Sequence, residues 1–178
     1  MQSAQSQDEV FDLVDENDQV IGTATRGEVH AKGLFHRAIH VLLFNSQGQV
    51  FLQKRSMAKD TAPGCWDSSA SGHVDSGEDY PQTAVRECQE ELGIEVNGLQ
   101  KLAKLAPGTE NGWEFVEIYT GHHEGPFELN PAEITDGQWL TPDEVDHLLQ
   151  SQPDTCALSF KQVWAKWKTG SSSPLSQE

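Results

Sequence analysis

The sequence predicts an α/β protein in which a mixed β-sheet is covered by helices on both faces. Three observations predict it. Strand-like segments recur from Val10 to Leu140. One strongly signalled helix interrupts them at residues 80–92, and two more helical segments follow the last strand. A chain of 178 residues suits one domain with a sizeable core.

The elements follow in order. Val10–Val14 and Gln19–Thr25 read as strands around a Glu16-Asn17-Asp18 turn. Ala38–Phe44 and Gln49–Lys54 read as a hairpin across Asn45-Ser46-Gln47-Gly48. Lys59–Trp66 reads as a loop marked by Pro63-Gly64. Asp79 can cap a helix that has Pro81 in its first turn, where the missing N–H costs little. Gly93 is a suitable stop. Leu99–Leu105 and Trp113–Gly121 read as strands on either side of Pro107-Gly108, and Ile134–Leu140 as a further short strand. Thr141-Pro142-Asp143-Glu144 has the form of a capping box, so a helix to about Gln150 is expected, with Pro153 breaking it. A last helix carries Ala157, Phe160, Trp164 and Trp167 at three- and four-residue spacing, a stripe that predicts core packing. Residues 1–8 and 170–178 are polar and expected to be flexible tails around a single domain over residues 9–169.

The helix at 80–92 carries the chemistry. Glu87, Glu90 and Glu91 fall within roughly a 100° arc. Ala84, Val85, Cys88 and Leu92 fall on the neighbouring arc and would pack on a sheet. Like charges at this spacing repel, and no lysine interleaves them. A hard divalent cation explains the cluster better than an ordinary solvated acidic face. Mg²⁺ prefers oxygen ligands and shares them with substrate phosphates. Glu78, just ahead of the helix, adds a fourth carboxylate. Arg86 cannot be a ligand, and its planar fork suits it to hold a carboxylate in a fixed pose.

From Gly72 to Ile94 the residues follow GX5EX7REUXEEXGU, with U a bulky apolar residue and Cys88 a soft match at the first such position. This pattern resembles the Nudix box. The resemblance implies a Nudix-type α/β/α sandwich and a Mg²⁺-dependent pyrophosphohydrolase, with Mn²⁺ as an alternative ion. It implies Glu87, Glu90 and Glu91 as metal ligands, with the Gly72 carbonyl as a further one. It makes Glu90 a candidate base as well, and has Glu78 bind a second ion through water or orient the site. In some members of the family the base lies outside the box, and here Glu114 and Glu133 are the candidates. Lys54, Arg55 and Lys59 are candidate phosphate holders, against the default of solvated lysines. The substrate would be a nucleoside diphosphate linked to a group X, or another organic diphosphate. Trp66, Trp113 or Phe115 could stack on a base, and each equally suits the core.

A second resemblance reaches further. Arg26-Gly27-Glu28-Val29-His30, Gly33-Leu34-Phe35-His36-Arg37-Ala38, Pro63-Gly64-Cys65-Trp66 and Gly72-His73 look like the type 1 isopentenyl-diphosphate isomerases. Those are relatives with the same fold, in which three histidines and two glutamates bind a divalent metal. The matching residues here are His30, His36, His73 and Glu114. Three departures count against isomerisation. Ser71 stands at the catalytic cysteine position, and a hydroxyl exchanges protons poorly near neutral pH. Gly112 stands at the position of the second metal glutamate. The full glutamate set of the hydrolase box is kept. His36 and His73 are therefore candidates for lining a substrate pocket, with metal binding left open. His122-His123 reads as an exposed turn.

Composition bounds the partners. Twelve basic and 28 acidic residues give a net charge of −16. That charge argues against nucleic acid and anionic membranes, while bound cations would still admit a small phosphorylated substrate. Cys65, Cys88 and Cys156 are widely spaced and read as reduced thiols of a cytoplasmic protein. No signal peptide is apparent, and the run Val41–Phe44 is too short to span a bilayer. A homodimer is left open.

Overall fold

The computed structural model describes residues 6–171. Its elements are β1 (Val10–Val14), β2 (Val20–Thr25), α1 (Arg26–Lys32), β3 (His36–Phe44), β4 (Val50–Arg55), β5 (Trp66–Asp67) and β6 (Ala70–His73). There follow α2 (Tyr80–Leu92), β7 (Gln100–Leu105), β8 (Glu114–His122), β9 (Ile134–Leu140), α3 (Pro142–Ser151) and α4 (Leu158–Ser171).

β3 is central because it is apolar on both faces. Its side chains alternate, as a strand requires. Ile39, Val41 and Leu43 pack in one cluster with Ala84, Cys88 and Leu92 of α2. Ala38 and Leu42 pack in another, with Val145 of α3 and Phe160, Val163 and Trp164 of α4. The sheet therefore lies between α2 on one side and α3 with α4 on the other, which is the expected α/β/α sandwich. Its seven strands run in the order β5-β4-β3-β8-β7, with β6 paired to β3 and β9 to β4. β3 and β8 are parallel from His36↔Glu114 to Phe44↔His122, and the other pairs are antiparallel, so the sheet is mixed. β1 and β2 form a separate hairpin, and Phe11 and Ala24 on it pack with Val29 of α1.

Three elements go beyond the sequence reading. α1 is a seven-residue helix where none was expected, capped by the Thr25 hydroxyl and the Glu28 carboxylate in a reciprocal box. It stops at Gly33, which takes the left-handed conformation. β5, at two residues, is too short to carry a strand pattern, and β6 is short and holds a serine and a glycine. Pairing with β4 and β3 makes them strands. At the ends, Gln7 of the expected N-terminal tail bonds Asp60 and Gly27. α4 continues to Ser171, past the expected boundary at 169. Residues 1–5 and 172–178 of the expected tails lie outside the described residues. The three cysteines are free thiols, and no described helix is long and apolar enough to cross a membrane.

Candidate active site

The site forms where β6 passes under α2. Asp79 caps α2 by accepting the Gln82 N–H at 2.9 Å, and Gln82 returns a bond to the Asp79 N–H at 3.1 Å. Gly93 ends the helix in the left-handed region. This frame turns Glu87 and Glu91 inward against β6. Glu91 is 2% exposed. Its Oε1 accepts the Ser71 N–H at 2.8 Å and its Oε2 accepts Gln53 Nε2 at 3.2 Å. Gly72 lets Glu87 come close: a Cβ there would overlap the Glu87 carboxylate and make it shift.

Arg86 organises the acids. Its Nε and Nη2 donate to the two oxygens of Glu78, at 2.9 and 3.0 Å. Its Nη1 donates to Glu87 Oε1 at 2.9 Å and to Glu90 Oε2 at 3.1 Å. Nη2 also reaches the His73 carbonyl at 3.2 Å, tying helix to strand.

Burial sets the electrostatics. It pushes the Glu91 carboxyl up to about 7, against the opposing pull of Lys59, the Ser71 N–H and Gln53. Burial, then the nearness of Glu91, pushes Glu87 well above the ordinary carboxylate range. Two enclosed carboxylates that resist sharing negative charge are a donor set of hard oxygens. Together with the side-chain-free backbone at Gly72, they fit a small divalent ion.

Two cavities meet here. A polar one of about 210 Å³ is lined by Arg26, Lys59, Gly72, Arg86, Glu87 and Glu90, among others. It shares Lys59, Ser71, Gly72 and His73 with a larger one of about 350 Å³. Glu114, Arg55 and His40 are among the residues lining the larger. Glu114 Oε1 lies 2.6 Å from His73 Nε2 and 3.3 Å from His36 Nε2. Burial pushes the Glu114 carboxyl up, but the two histidines outweigh it and hold the group well below the usual carboxylate range. Burial pushes His73 down to about 4.

The structure thus brings together Gly72, Glu78, Arg86, Glu87, Glu90, Glu91, His73 and Glu114, with His36 behind them and fully buried. Arg55 lines the larger cavity, but its guanidinium is committed to Asp67 at 3.1 Å and to the Thr61 carbonyl at 3.0 Å. Lys54 lines neither cavity. Strand alternation sends it to the face opposite Gln53 and Arg55, where its ammonium lies 5.8 Å from the centre of the Trp66 ring. Glu133 pairs with Lys59 at the polar cavity. Trp66, Trp113 and Phe115 line neither cavity: Trp113 stacks on Phe35 and Phe115 is core. Sequence reasoning missed Arg26 and Gln53. Arg26 sits at the start of a helix too short to be seen, although Thr25 and Glu28 carried its capping signal. Gln53 reads as one more strand residue, and only the fold brings its Nε2 to the Ser69 carbonyl and to Glu91 of α2, each at 3.2 Å.

Residues 34–158 match the family model described as NUDIX domain. The chain is 30% identical over 161 residues to Isopentenyl-diphosphate Delta-isomerase 2 of Photorhabdus laumondii, covering 88% of this chain and 90% of that one. It is 36% identical over 144 residues to a Nudix hydrolase of Deinococcus radiodurans, covering 80% and 82%. The crystal structure of DR0079 from Deinococcus radiodurans matches with a TM-score of 0.77 at 29% sequence identity, over 90% of this chain and 98% of that one.

Proposed function

This chain belongs to the NUDIX domain family and is a pyrophosphohydrolase of the Nudix hydrolase kind, and on that footing we propose that it cleaves an organic diphosphate, such as a nucleoside diphosphate linked to a group X, with Mg²⁺ as its ion. One observation carries the reading. Arg86 gathers Glu78, Glu87 and Glu90 around the cleft that Gly72 opens, with Glu91 buried beside them.

Glu87, Glu90, Glu91 and the Gly72 carbonyl are the groups that would hold the ion. When bound, Mg²⁺ neutralises phosphate oxygens and lowers the pKa of the attacking water. Arg86 keeps three of the carboxylates in one pose, so little reorganisation is needed when substrate arrives. Arg26 and Lys59 line the same cavity, but Arg26 is already paired with Glu9 and Asp60 and Lys59 with Glu133, so a diphosphate would share their charge with those carboxylates. Water forms its bond to one phosphorus, the bridging oxygen leaves with the electron pair, and a carboxylate takes the proton. Glu90, with a side chain 55% exposed, is the base we assign, since it meets solvent while Glu114 is enclosed by histidines. Mn²⁺ would suit the same oxygen donors.

The isomerase reading rests on the histidine cluster and on the name of the Photorhabdus relative. Ser71 opposes it, because its hydroxyl stands where the isomerases carry a thiol and exchanges protons poorly near neutral pH. The test is incubation with a panel of diphosphate compounds, isopentenyl diphosphate included, with and without Mg²⁺. Mg²⁺-dependent release of phosphate or pyrophosphate is expected. Conversion of isopentenyl to dimethylallyl diphosphate without release would replace the hydrolase reading with the isomerase one.

A further inference from the structure

The histidine cluster has the composition of a metal centre. Ring nitrogens of His30, His36 and His73 lie within 4.8 Å of one another, and Glu114 touches two of them. A ligating histidine, however, needs more than a nitrogen in range. Its second nitrogen carries a proton and donates it to a carboxylate, a carbonyl or water, which fixes the tautomer and leaves the first nitrogen's lone pair for the ion.

His36 has this arrangement. Its Nδ1 lies 2.8 Å from the Leu34 carbonyl, which can only accept, so Nδ1 carries the proton. Its Nε2 is buried, without a hydrogen-bond partner, and faces Glu114. His73 has the reverse. Its Nδ1 lies 3.2 Å from Arg26 Nη1, and a guanidinium can only donate. The Nδ1 lone pair is therefore spent on Arg26, and the ring proton sits on Nε2. There it meets Glu114 Oε1 at 2.6 Å, the spacing of a charge-assisted hydrogen bond. Two ligands of one ion, with bonds of about 2.1 Å, would instead stand about 3 Å apart. Arg26 is fixed in this role. It is 3% exposed, and it contacts Asp60 through Nε at 3.3 Å and Glu9 through Nη1 at 3.4 Å.

We infer that Arg26 closes the three-histidine cluster to metal ions, by forcing His73 into a tautomer whose proton is given to Glu114. The cluster is then a hydrogen-bonded chain, Arg26 to His73 to Glu114, that holds a carboxylate at the cavity wall. The inference goes beyond the hydrolase reading, and its test reads metal binding and tautomer, not turnover.

The experiment is a Co²⁺ titration with Mg²⁺ in excess to fill the oxygen site, followed by equilibrium dialysis and visible absorption. The wild-type chain is expected to gain no imidazole-bound Co²⁺. Arg26→Gln, whose amide oxygen can accept from Nδ1–H, should gain about one equivalent, and Arg26→Gln with His36→Ala should lose it again. Arg26→Lys, which keeps a donor, should stay empty. A wild-type equivalent of Co²⁺ that His36→Ala removes would overturn the inference, as would a folded Arg26→Gln that stays empty. Should Arg26→Gln fail to fold, the wild-type and His36→Ala titrations still decide, together with the His73 tautomer. Long-range ¹H–¹⁵N spectra should show the His73 proton on Nε2, and a proton on Nδ1 would refute the mechanism.

Discussion

Glu91 occupies a place where a carboxylate is costly and only an ion makes it useful. Glutamine there keeps a similar shape and removes a charge that burial opposes. Glu91→Gln should therefore fold with an ion-free melting temperature close to wild type, the relief of a buried charge offsetting an amide NH2 set against the Ser71 or Gln53 donor, while turnover falls by roughly 100-fold or more. Parallel thermal melts and Mg²⁺-dependent assays check this, and unchanged turnover would sink its role as a ligand. The choice of base separates in the same way. Glu90→Gln should lose about 10²- to 10⁴-fold in kcat, more than Glu114→Gln, and the opposite ranking would move the base to the enclosed carboxylate. At this scale the sequence was legible wherever a role depends on spacing along one helix. The order Arg86-Glu87 and Glu90-Glu91 carries its own geometry. Arg26 was not legible, because its importance lies in which nitrogen of a distant histidine it faces.

Elements place these residues, and the two that matter most differ in how openly the sequence declares them. α2 is announced by Asp79, Pro81 and Gly93, and its observed bounds, Tyr80–Leu92, coincide with the expected ones. Asp79→Ala should cost about 1 kcal/mol of stability by releasing the first-turn donor that it caps. Chemical denaturation would show it, with equal midpoints counting against the cap. β6 is announced by nothing in its own residues. Ala70–His73 becomes a strand because β3 offers it a partner, and that pairing sets Gly72 against Glu87. Gly72→Ala should consequently lower activity by displacing Glu87 while the sheet persists. Far-ultraviolet circular dichroism beside the assay separates the two effects, and full activity would show that the close approach is dispensable. α1 was hidden for another reason: seven residues span too few turns for periodicity to show. The layers themselves followed from the apolar runs and were read correctly.

The molecule as a whole is cross-tied by one carboxylate. Asp18, in the turn between β1 and β2, accepts from Arg37 of β3 at 2.7 Å, from Tyr80 of α2 at 2.7 Å and from Lys104 of β7. Burial alone would push its carboxyl up, but the donors from Lys104, Arg37 and Tyr80 outweigh it and hold the group below its ordinary value. A depressed carboxyl contributes stability that is fully present above the unfolded value, about 3.9, and is lost as pH falls through the lower folded value. Asp18→Asn should be destabilised by roughly 1–3 kcal/mol at pH 7, and the gap should close as pH falls below that range. A gap constant down to the acid limit would show that charge is not the tie. The parallel pairing of β3 with β8 has a consequence for biosynthesis. His36 meets Glu114 across a long stretch of intervening chain, and contacts so far apart in sequence form slowly. A growing polypeptide that has exposed the acidic helix still lacks the strand that completes the sheet. Its apolar middle stays without that partner until β8 has emerged, so slowed elongation across residues 74–113 should lengthen the time for which that surface is exposed.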